Sequence, residues 1–200
     1  NQRQLRVAHY VPRWLGITEN WIYSQVENMP TDMVQSHIIT DHEPRNLDQF
    51  PWPHIHPLGG QTFWHTLTTV GKTENILRKI GRKLRGIVSR RHATAVIQKH
   101  KIDLVHSHFG YNGWAIMPAI KQTGVKHVVT FYGQDVTRYP QMDSRWYGRY
   151  KELFEHVDAI LCEGPFMGKS IVALGCPEEK VHIQHLGVRL EEIPYRPRHW

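Results

Sequence analysis

Short apolar runs that end abruptly in small or polar residues recur along this chain. Four of them cover residues 5–11, 34–40, 157–162 and 181–186, and two more cover residues 102–110 and 125–135 together with their polar ends. Segments with apolar residues at helical spacing separate most of these runs, over residues 18–29, 73–100, 112–122, 144–156 and 165–174. Because buried strands alternate with helices, we predict an α/β fold with a doubly wound parallel sheet.

Two segments between the second and third runs are less regular. Residues 41–60, which are rich in Pro and His, are expected to form a long irregular connection. A short helix is expected over residues 62–70. Gly86 lies inside the helix predicted over residues 73–100 and marks the position at which that helix would break.

The most informative residues lie at the ends of two neighbouring strands. Residues 102–110 and 125–135 flank a helix, so a right-handed crossover would place the two strands parallel to each other. In such sheets, ligands bind at the carboxyl ends of the strands. The residues expected at that edge are His108, Gly110, Tyr132, Gly133 and Asp135.

Length and composition limit the class of protein. With 200 residues, of which 40% are hydrophobic, the chain can bury one α/β core. We predict one domain over residues 1–187 and the start of a linker in the charged, Pro-containing residues 188–200. Cys162 and Cys176 lack zinc or redox spacing and are too few for a disulfide framework, so we expect buried structural thiols in a reducing compartment.

No apolar run approaches the length of about 20 residues that a transmembrane helix needs. The first residues lead directly into a strand instead of a signal peptide. We therefore predict a cytoplasmic protein that is peripheral, at most, on the inner face of a membrane.

Much of the net charge of +7 lies in residues 78–91, where apolar residues at helical spacing predict a basic amphipathic helix. The charges could simply face solvent, or they could contact an anionic membrane or lipid-linked phosphates. Aromatic residues are not interleaved with a basic stripe, so we predict no nucleic-acid partner. The candidate membrane- or acceptor-binding residues are Arg78, Lys79, Arg82, Lys83, Arg85, Arg90 and Arg91.

Several common chemistries have little support in the sequence. No glycine-rich phosphate motif occurs, which argues against a dinucleotide oxidoreductase or a P-loop NTPase. His106 and His108 have a spacing that metal hydrolases use, but no carboxylate follows them. We therefore predict no metal, a buried hydrogen-bonded His106 and a ligand-facing His108. Cys162 lacks an identifiable partner for a nucleophilic triad.

The segment that contains Tyr132, Gly133 and Asp135 is a stronger signal. A glycine after an aromatic residue at a strand end lets the backbone approach a ligand, and Asp135 could accept hydrogen bonds from the hydroxyls of a sugar. In the simpler alternative, Gly133 makes a turn and Asp135 caps the next segment.

The order of several motifs resembles the nucleotide-sugar glycosyltransferases of family 4, which have the two-domain GT-B fold. These motifs cover residues 16–22, 103–110, 129–135, 157–164 and 174–188. The resemblance implies that the chain is the N-terminal, acceptor-side, Rossmann-like half of that fold and that the C-terminal donor-binding domain is not in it. It further implies a hexosyltransferase-like enzyme that transfers sugar to a polysaccharide, glycolipid or lipid-linked acceptor with retention of configuration.

The resemblance also implies roles for individual residues. Gly16 would lie in the loop that approaches the donor phosphates, and Asp135 matches the acidic residue of a His-Gly-x-Asp pattern. Tyr132 stands where many members have a His, so the proton acceptor is left unassigned, although tyrosine could position the sugar. The predicted site is catalytic at Tyr132 and Asp135, donor-binding at Gly16, Glu19 and Gly133, and acceptor-side at His108 and Gly110.

The resemblance makes the nucleotide sugar a substrate shared with the missing domain, and no cofactor is expected. The chain alone is then expected to be inactive. Two alternatives are a non-catalytic carbohydrate-binding or regulatory module of the same fold, and a metal-dependent hydrolase on His106 and His108.

Overall fold

The computed structural model of the chain describes residues 3–59 and 75–187. In the helix that begins at residue 75, the side chains of residues 75–80 and of residue 82 are not among those described. The short helix predicted over residues 62–70, the linker predicted over residues 188–200 and the side chains of Arg78, Lys79 and Arg82 therefore lie outside the described residues.

Seven parallel strands form the sheet of the described residues, in the order β3-β2-β1-β4-β5-β6-β7. The order runs outward from β1 in both directions, which is the doubly wound, Rossmann-like α/β arrangement predicted from the sequence. The strands are β1 Leu5–Tyr10, β2 Val34–Thr40, β3 Ile55–Pro57, β4 Leu104–His108, β5 Lys126–Phe131, β6 Ala159–Cys162 and β7 Val181–Ile183.

Six α-helices are described, and short 3₁₀ turns precede α1 and β7. Helix α2 continues through Gly86, so the break considered there does not occur. Strand β3, inside the segment predicted to be irregular, and helix α4 were not predicted. The helices are α1 Asn20–Glu27, α2 Asn75–Lys99, α3 Gly110–Thr123, α4 Gln134–Met142, α5 Arg145–His156 and α6 Pro165–Ala173.

Side chains of β1 alternate between the two faces of the sheet. Ala8 and Tyr10 pack in a buried cluster with residues of α2 and α3, so His9 points to the opposite face. On that face, Ile22 and Val26 of α1 pack in a second cluster. His9, a buried polar side chain in an otherwise apolar strand, is thereby placed between the sheet and α1.

Strands β5 and β6 pack against α3, α5 and α6 through a third cluster. Phe131 of β5 and Tyr150 of α5 meet edge to face at the centre of this cluster, with ring centroids 5.4 Å apart. Cys162 and Cys176 belong to the same cluster and are both buried and unpaired, as predicted. Burial raises the pKa of the Cys176 thiol to about 11.

Candidate functional site

Trp21 of α1 and Phe109 in the loop after β4 pack around Tyr132, which lies in the loop after β5 at the carboxyl edge of the sheet. The Trp21 ring of α1 lies 4.1 Å from the Tyr132 ring, and the Phe109 ring after β4 lies 4.9 Å from it, measured between centroids. Burial, and to a smaller extent the charges of Asp135 and Glu163, hold the pKa of Tyr132 well above its usual value. The Tyr132 hydroxyl is therefore protonated at neutral pH.

Asp135 has no exposed surface and accepts three backbone hydrogen bonds. Its Oδ1 accepts from the N–H groups of Tyr132 and Gly133, each at 3.0 Å, and its Oδ2 accepts from the N–H of Gly110 at 2.9 Å. Burial raises the pKa of Asp135, while these backbone bonds act in the opposite direction. The carboxylate thus joins the loop after β4 to the loop after β5 from inside the protein.

Gly133 turns the chain from β5 into α4. Its φ of 109° lies in the region that side-chain-bearing residues rarely adopt, whereas a Cβ at this position would have room, with Met167 Cε 3.8 Å away. Glycine is therefore needed here for its backbone conformation, and the half-buried turn presents main chain at the sheet edge.

Phe109 and Gly110 form a tightly constrained turn after β4. Phe109 has a φ of 73°, which is strained for an aromatic residue, and its N–H donates to the Thr130 carbonyl at 2.9 Å. A Cβ on Gly110 would lie 2.2 Å from Cε1 of Phe131, which is buried. Gly110 is thus required for packing against the core, and its N–H is directed to Asp135.

A line of hydrogen bonds leads from Tyr132 into the protein. The Tyr132 hydroxyl lies 2.7 Å from Nδ1 of His108, and Nε2 of His108 lies 3.2 Å from Nδ1 of His9. Both histidines are fully buried, and burial lowers their pKa well below the usual value, so both are neutral. His108, predicted to face a ligand, can therefore reach one only through Tyr132.

His9 completes a cluster that the sequence pattern did not reveal. One nitrogen each from His9, His106 and His108 lies within 4.8 Å of the others. His106 is buried and shares a 2.7 Å hydrogen bond with Thr130 Oγ1, as predicted for that residue. A metal ion held by this triad would have to replace the hydrogen bond between His9 and His108.

The loop after β1 carries the predicted phosphate contact. The Gly16 N–H donates to Oε2 of Glu19 at 2.8 Å, and Gly16 is exposed. A phosphate oxygen at this amide would therefore replace the Glu19 carboxylate, which already occupies an anion position. The two predicted donor-binding residues of this loop are in contact with each other.

The described basic side chains in the middle of α2 divide into two groups. Lys83 and Arg91 are exposed and Arg90 is half-buried. Arg85 turns inward, and its Nη2 lies 2.6 Å from Nε2 of His42, in the loop after β2. The basic half of α2 is therefore anchored near the carboxyl edge of the sheet by one arginine, while its neighbours remain accessible.

Comparison with known proteins gives a family match over most of the chain. A family model described as "Glycosyltransferase Family 4" matches residues 18–192. The amylovoran biosynthesis glycosyltransferase AmsK of Erwinia amylovora is 27% identical over 99 residues. That alignment covers 48% of this chain but only 24% of the relative.

Solved structures with the same fold include enzymes of different activities. Sucrose-phosphate synthase from Thermosynechococcus elongatus has a TM-score of 0.63 at 13% identity, with 94% of this chain and 49% of that chain covered. Anabaena Alr3699/HepE in complex with UDP-glucose has a TM-score of 0.64 at 9% identity, with 97% and 47% covered. UDP-N-acetylglucosamine 2-epimerase from Rickettsia bellii has a TM-score of 0.59 at 11% identity, with 90% and 44% covered.

At such low identities these structures establish the fold alone. The chain spans about half the length of each of them. A synthase and an epimerase both occur among them, so the fold alone does not assign one of these activities to the chain. The family match, in contrast, assigns the chain to a glycosyltransferase family.

Proposed function

Because the chain belongs to glycosyltransferase family 4, we propose that it is the acceptor-side half of an enzyme that transfers a sugar from a nucleotide-sugar donor with retention of configuration. The packing of α1 and of the loop after β4 around Tyr132 at the carboxyl edge of the sheet is the observation that carries this proposal. AmsK is named for amylovoran biosynthesis, which favours a polysaccharide, glycolipid or lipid-linked acceptor. One structural relative was solved with UDP-glucose, which favours a nucleotide-sugar donor.

A second domain would supply the opposite wall of the cleft and most of the donor site. The length of the structural relatives supports this division, because the chain covers about half of each of them. Residues 188–200 would lead towards that domain. The donor phosphates would approach the Gly16 amide, with the Glu19 carboxylate moving aside. The nucleotide sugar is a substrate in this proposal, and no cofactor is required.

Tyr132 would position the transferred sugar through its hydroxyl. Its raised pKa makes it a poor proton acceptor at neutral pH, whereas a protonated hydroxyl held by neutral His108 can bond a sugar hydroxyl. Asp135 would act as a positioning residue, because its carboxylate holds the Tyr132 and Gly133 amides from within.

The first prediction concerns turnover. We expect no transfer from a nucleotide sugar by the 200-residue chain alone, because half of the cleft is missing. A longer protein that contains this chain should consume a donor, and NMR of the product should show a retained anomeric configuration. Transfer by the 200-residue chain would contradict the half-cleft proposal. A longer protein that consumes no donor from a full panel would contradict the catalytic role.

A non-catalytic carbohydrate-binding or regulatory module of the same fold is the second candidate. The occupied Gly16 amide favours it, since the loop can close on Glu19 without a ligand. This module would bind a glycan while the longer protein shows no turnover. The same donor panel, combined with glycan-binding measurements, separates the two functions.

The basic face of α2 is proposed to contact an anionic membrane. Leu84 and Ile87 are 45% and 37% exposed beside the accessible Lys83 and Arg91, which gives an apolar and cationic surface. None of the helices in the described part of the chain has both the length and the apolar character needed to cross a bilayer. Contact would therefore be made at the surface of the membrane.

The second prediction tests this contact. Replacing both Lys83 and Arg91 with Glu should weaken binding to phosphatidylserine vesicles by at least about tenfold, since each basic residue near such a surface contributes about 1 kcal/mol. Lys151 and Lys169, exposed on α5 and α6, provide a matched control with the same change in net charge. Equal loss in the control pair, or no loss in either pair, would contradict a role for α2. Vesicle co-sedimentation at two salt concentrations measures the effect.

A further inference from the structure

Five of the 15 histidines gather on the face of the sheet opposite to His9 and His108. The cluster joins β2, the segment that includes β3, and α2 with the residue that follows it. His100 follows α2, and its carbonyl accepts a hydrogen bond from Arg6 near the start of β1, so the cluster extends towards the amino end of the sheet. The five residues are His37, His54, His56, His92 and His100.

The strand geometry explains why these side chains meet. His54 and His56 are two residues apart and share one face of the chain, and the register pairs His56 with Ile39 beside β2. His37 lies two residues before Ile39 on the same face. Helix α2 then brings His100 over this pair, with its ring centroid 4.3 Å from that of His56 and 5.2 Å from that of His37.

We propose that His37, His56 and His100 bind a divalent transition-metal ion, with Zn²⁺ as the best-suited ion. One nitrogen from each of the three lies within 4.8 Å of the others. Nδ1 of His37 and Nε2 of His56 are 3.0 Å apart, close to the separation of about 3.3 Å between two nitrogens bound tetrahedrally to zinc. The ring of His54 stacks on that of His37 at 5.0 Å, but His54 is not among the three residues whose nitrogens meet within 4.8 Å.

The hydrogen bond between His37 and His56 directs the N–H of one ring at the lone pair of the other, so binding of an ion by both nitrogens requires one ring to change tautomer. Nε2 of His37 is buried without a hydrogen-bond partner among the described residues, and it can carry the proton when Nδ1 binds the ion.

Nearby cations limit the affinity. Lys99 precedes His100 in the chain, and the Arg6 guanidinium donates a hydrogen bond to the His100 carbonyl at 3.2 Å. The same two charges oppose a dication, so we expect micromolar affinity instead of the tighter binding of zinc-finger sites. Imidazole ligands without a carboxylate also exclude Mg²⁺ and Ca²⁺, which prefer oxygen.

This cluster is better suited to a metal than the triad of His9, His106 and His108. The rings of that triad are buried, and Thr130 and Tyr132 already engage Nε2 of His106 and Nδ1 of His108. In the proposed site, His56 and His100 are only half-buried, so an ion can enter from solvent. Bound metal would hold the three-residue edge strand β3 to β2 and to the end of α2.

The chain is expected to bind one equivalent of a transition-metal ion when metal salts alone are added. One equivalent of Co²⁺ should produce the visible absorption of a tetrahedral nitrogen site, Zn²⁺ should abolish that absorption, and Mg²⁺ should have no effect. Zn²⁺ should also raise the midpoint of thermal unfolding, because it binds the folded state. The absence of Co²⁺ binding would overturn the proposal.

Single substitutions assign the ion to its ligands. His56→Ala and His100→Ala should each weaken Co²⁺ binding by at least about tenfold, while His156→Ala, at an exposed position on α5, should leave it unchanged. His100 lies beyond the end of α2, so its variant should fold even if His56→Ala does not, and circular dichroism checks both. Unchanged Co²⁺ affinity in either folded variant would overturn the three-ligand assignment. The same result is expected if the triad of His9, His106 and His108 holds the ion, so that outcome also counts against the proposal.

Discussion

Lowering the pH from 7 to 5 is expected to destabilise this chain by about 4 kcal/mol through only two of its buried histidines. Burial lowers the pKa of His106 to about 4 and that of His127 to about 3. Both side chains are nearly or fully inaccessible to solvent, so water does not screen a charge on either ring. In the unfolded chain each has an ordinary pKa of about 6.5.

The sign of the effect follows from proton binding. Between pH 6.5 and pH 4 the unfolded chain binds protons that the folded chain does not, so the free energy of unfolding decreases as the pH falls through this interval. Above pH 6.5 the contribution is fully present. Each of the two groups accounts for about 2 kcal/mol between pH 7 and pH 5. His9 and His108, whose pKa values are also lowered by burial, act in the same direction.

Hydroxyl groups and burial keep these rings neutral in the folded state. Nε2 of His127 lies 2.9 Å from Ser107 Oγ, and Nε2 of His106 lies 2.7 Å from Thr130 Oγ1. A hydroxyl can accept from or donate to a neutral imidazole, but it does not neutralise an imidazolium. Asp158, which raises the pKa of His127, is outweighed by burial.

Urea unfolding at pH 7, 6 and 5 measures this dependence. His127→Gln should reduce the difference between pH 7 and pH 5 by about 2 kcal/mol, whatever it does to stability at pH 7. His156→Gln, at an exposed position, is the matched control and should leave the pH dependence as it is. An unchanged pH dependence in His127→Gln would contradict the assignment.

The sheet could be predicted because a parallel strand buried on both faces is a continuous apolar run. Strand β3 gave no such signal, since it has only three residues, ends at Pro57 and, within residues 3–59 and 75–187, pairs on one side only. Helix α4 was obscured by Pro140, which usually ends a helix but here lies near the last turn. Both elements are held in place by neighbours that local sequence does not specify.

The location of the candidate site could also be predicted, because strand ends are visible in the sequence. The directions in which the side chains of the site point could not be predicted. His9 lies beside His106 only because of the register of β1 on β4. Position 110 requires glycine because the Phe131 ring on another strand leaves no room for a Cβ atom there. Glu19 folds back onto Gly16, whereas the sequence suggested a ligand there. Each of these contacts depends on tertiary packing.

Replacing Asp135 with Ala is expected to reduce the free energy of unfolding by about 3–5 kcal/mol. The change would leave the N–H groups of Gly110, Tyr132 and Gly133 without their acceptor in a buried turn. An unsatisfied buried donor costs about 1–3 kcal/mol, and partial access of water to the half-buried Tyr132 and Gly133 keeps the sum below the maximum.

Asp135→Asn tests the positioning role with a smaller change. The amide keeps one acceptor oxygen but turns an NH₂ group towards an N–H donor, so we expect a loss of about 2–3 kcal/mol in the free energy of unfolding. Asp143→Asn, at a partly exposed residue paired with Arg145, should have no measurable effect on unfolding. If Asp135→Asn unfolds at the same urea concentration as the parent chain, the three amides do not need a carboxylate, and the positioning role of Asp135 is contradicted.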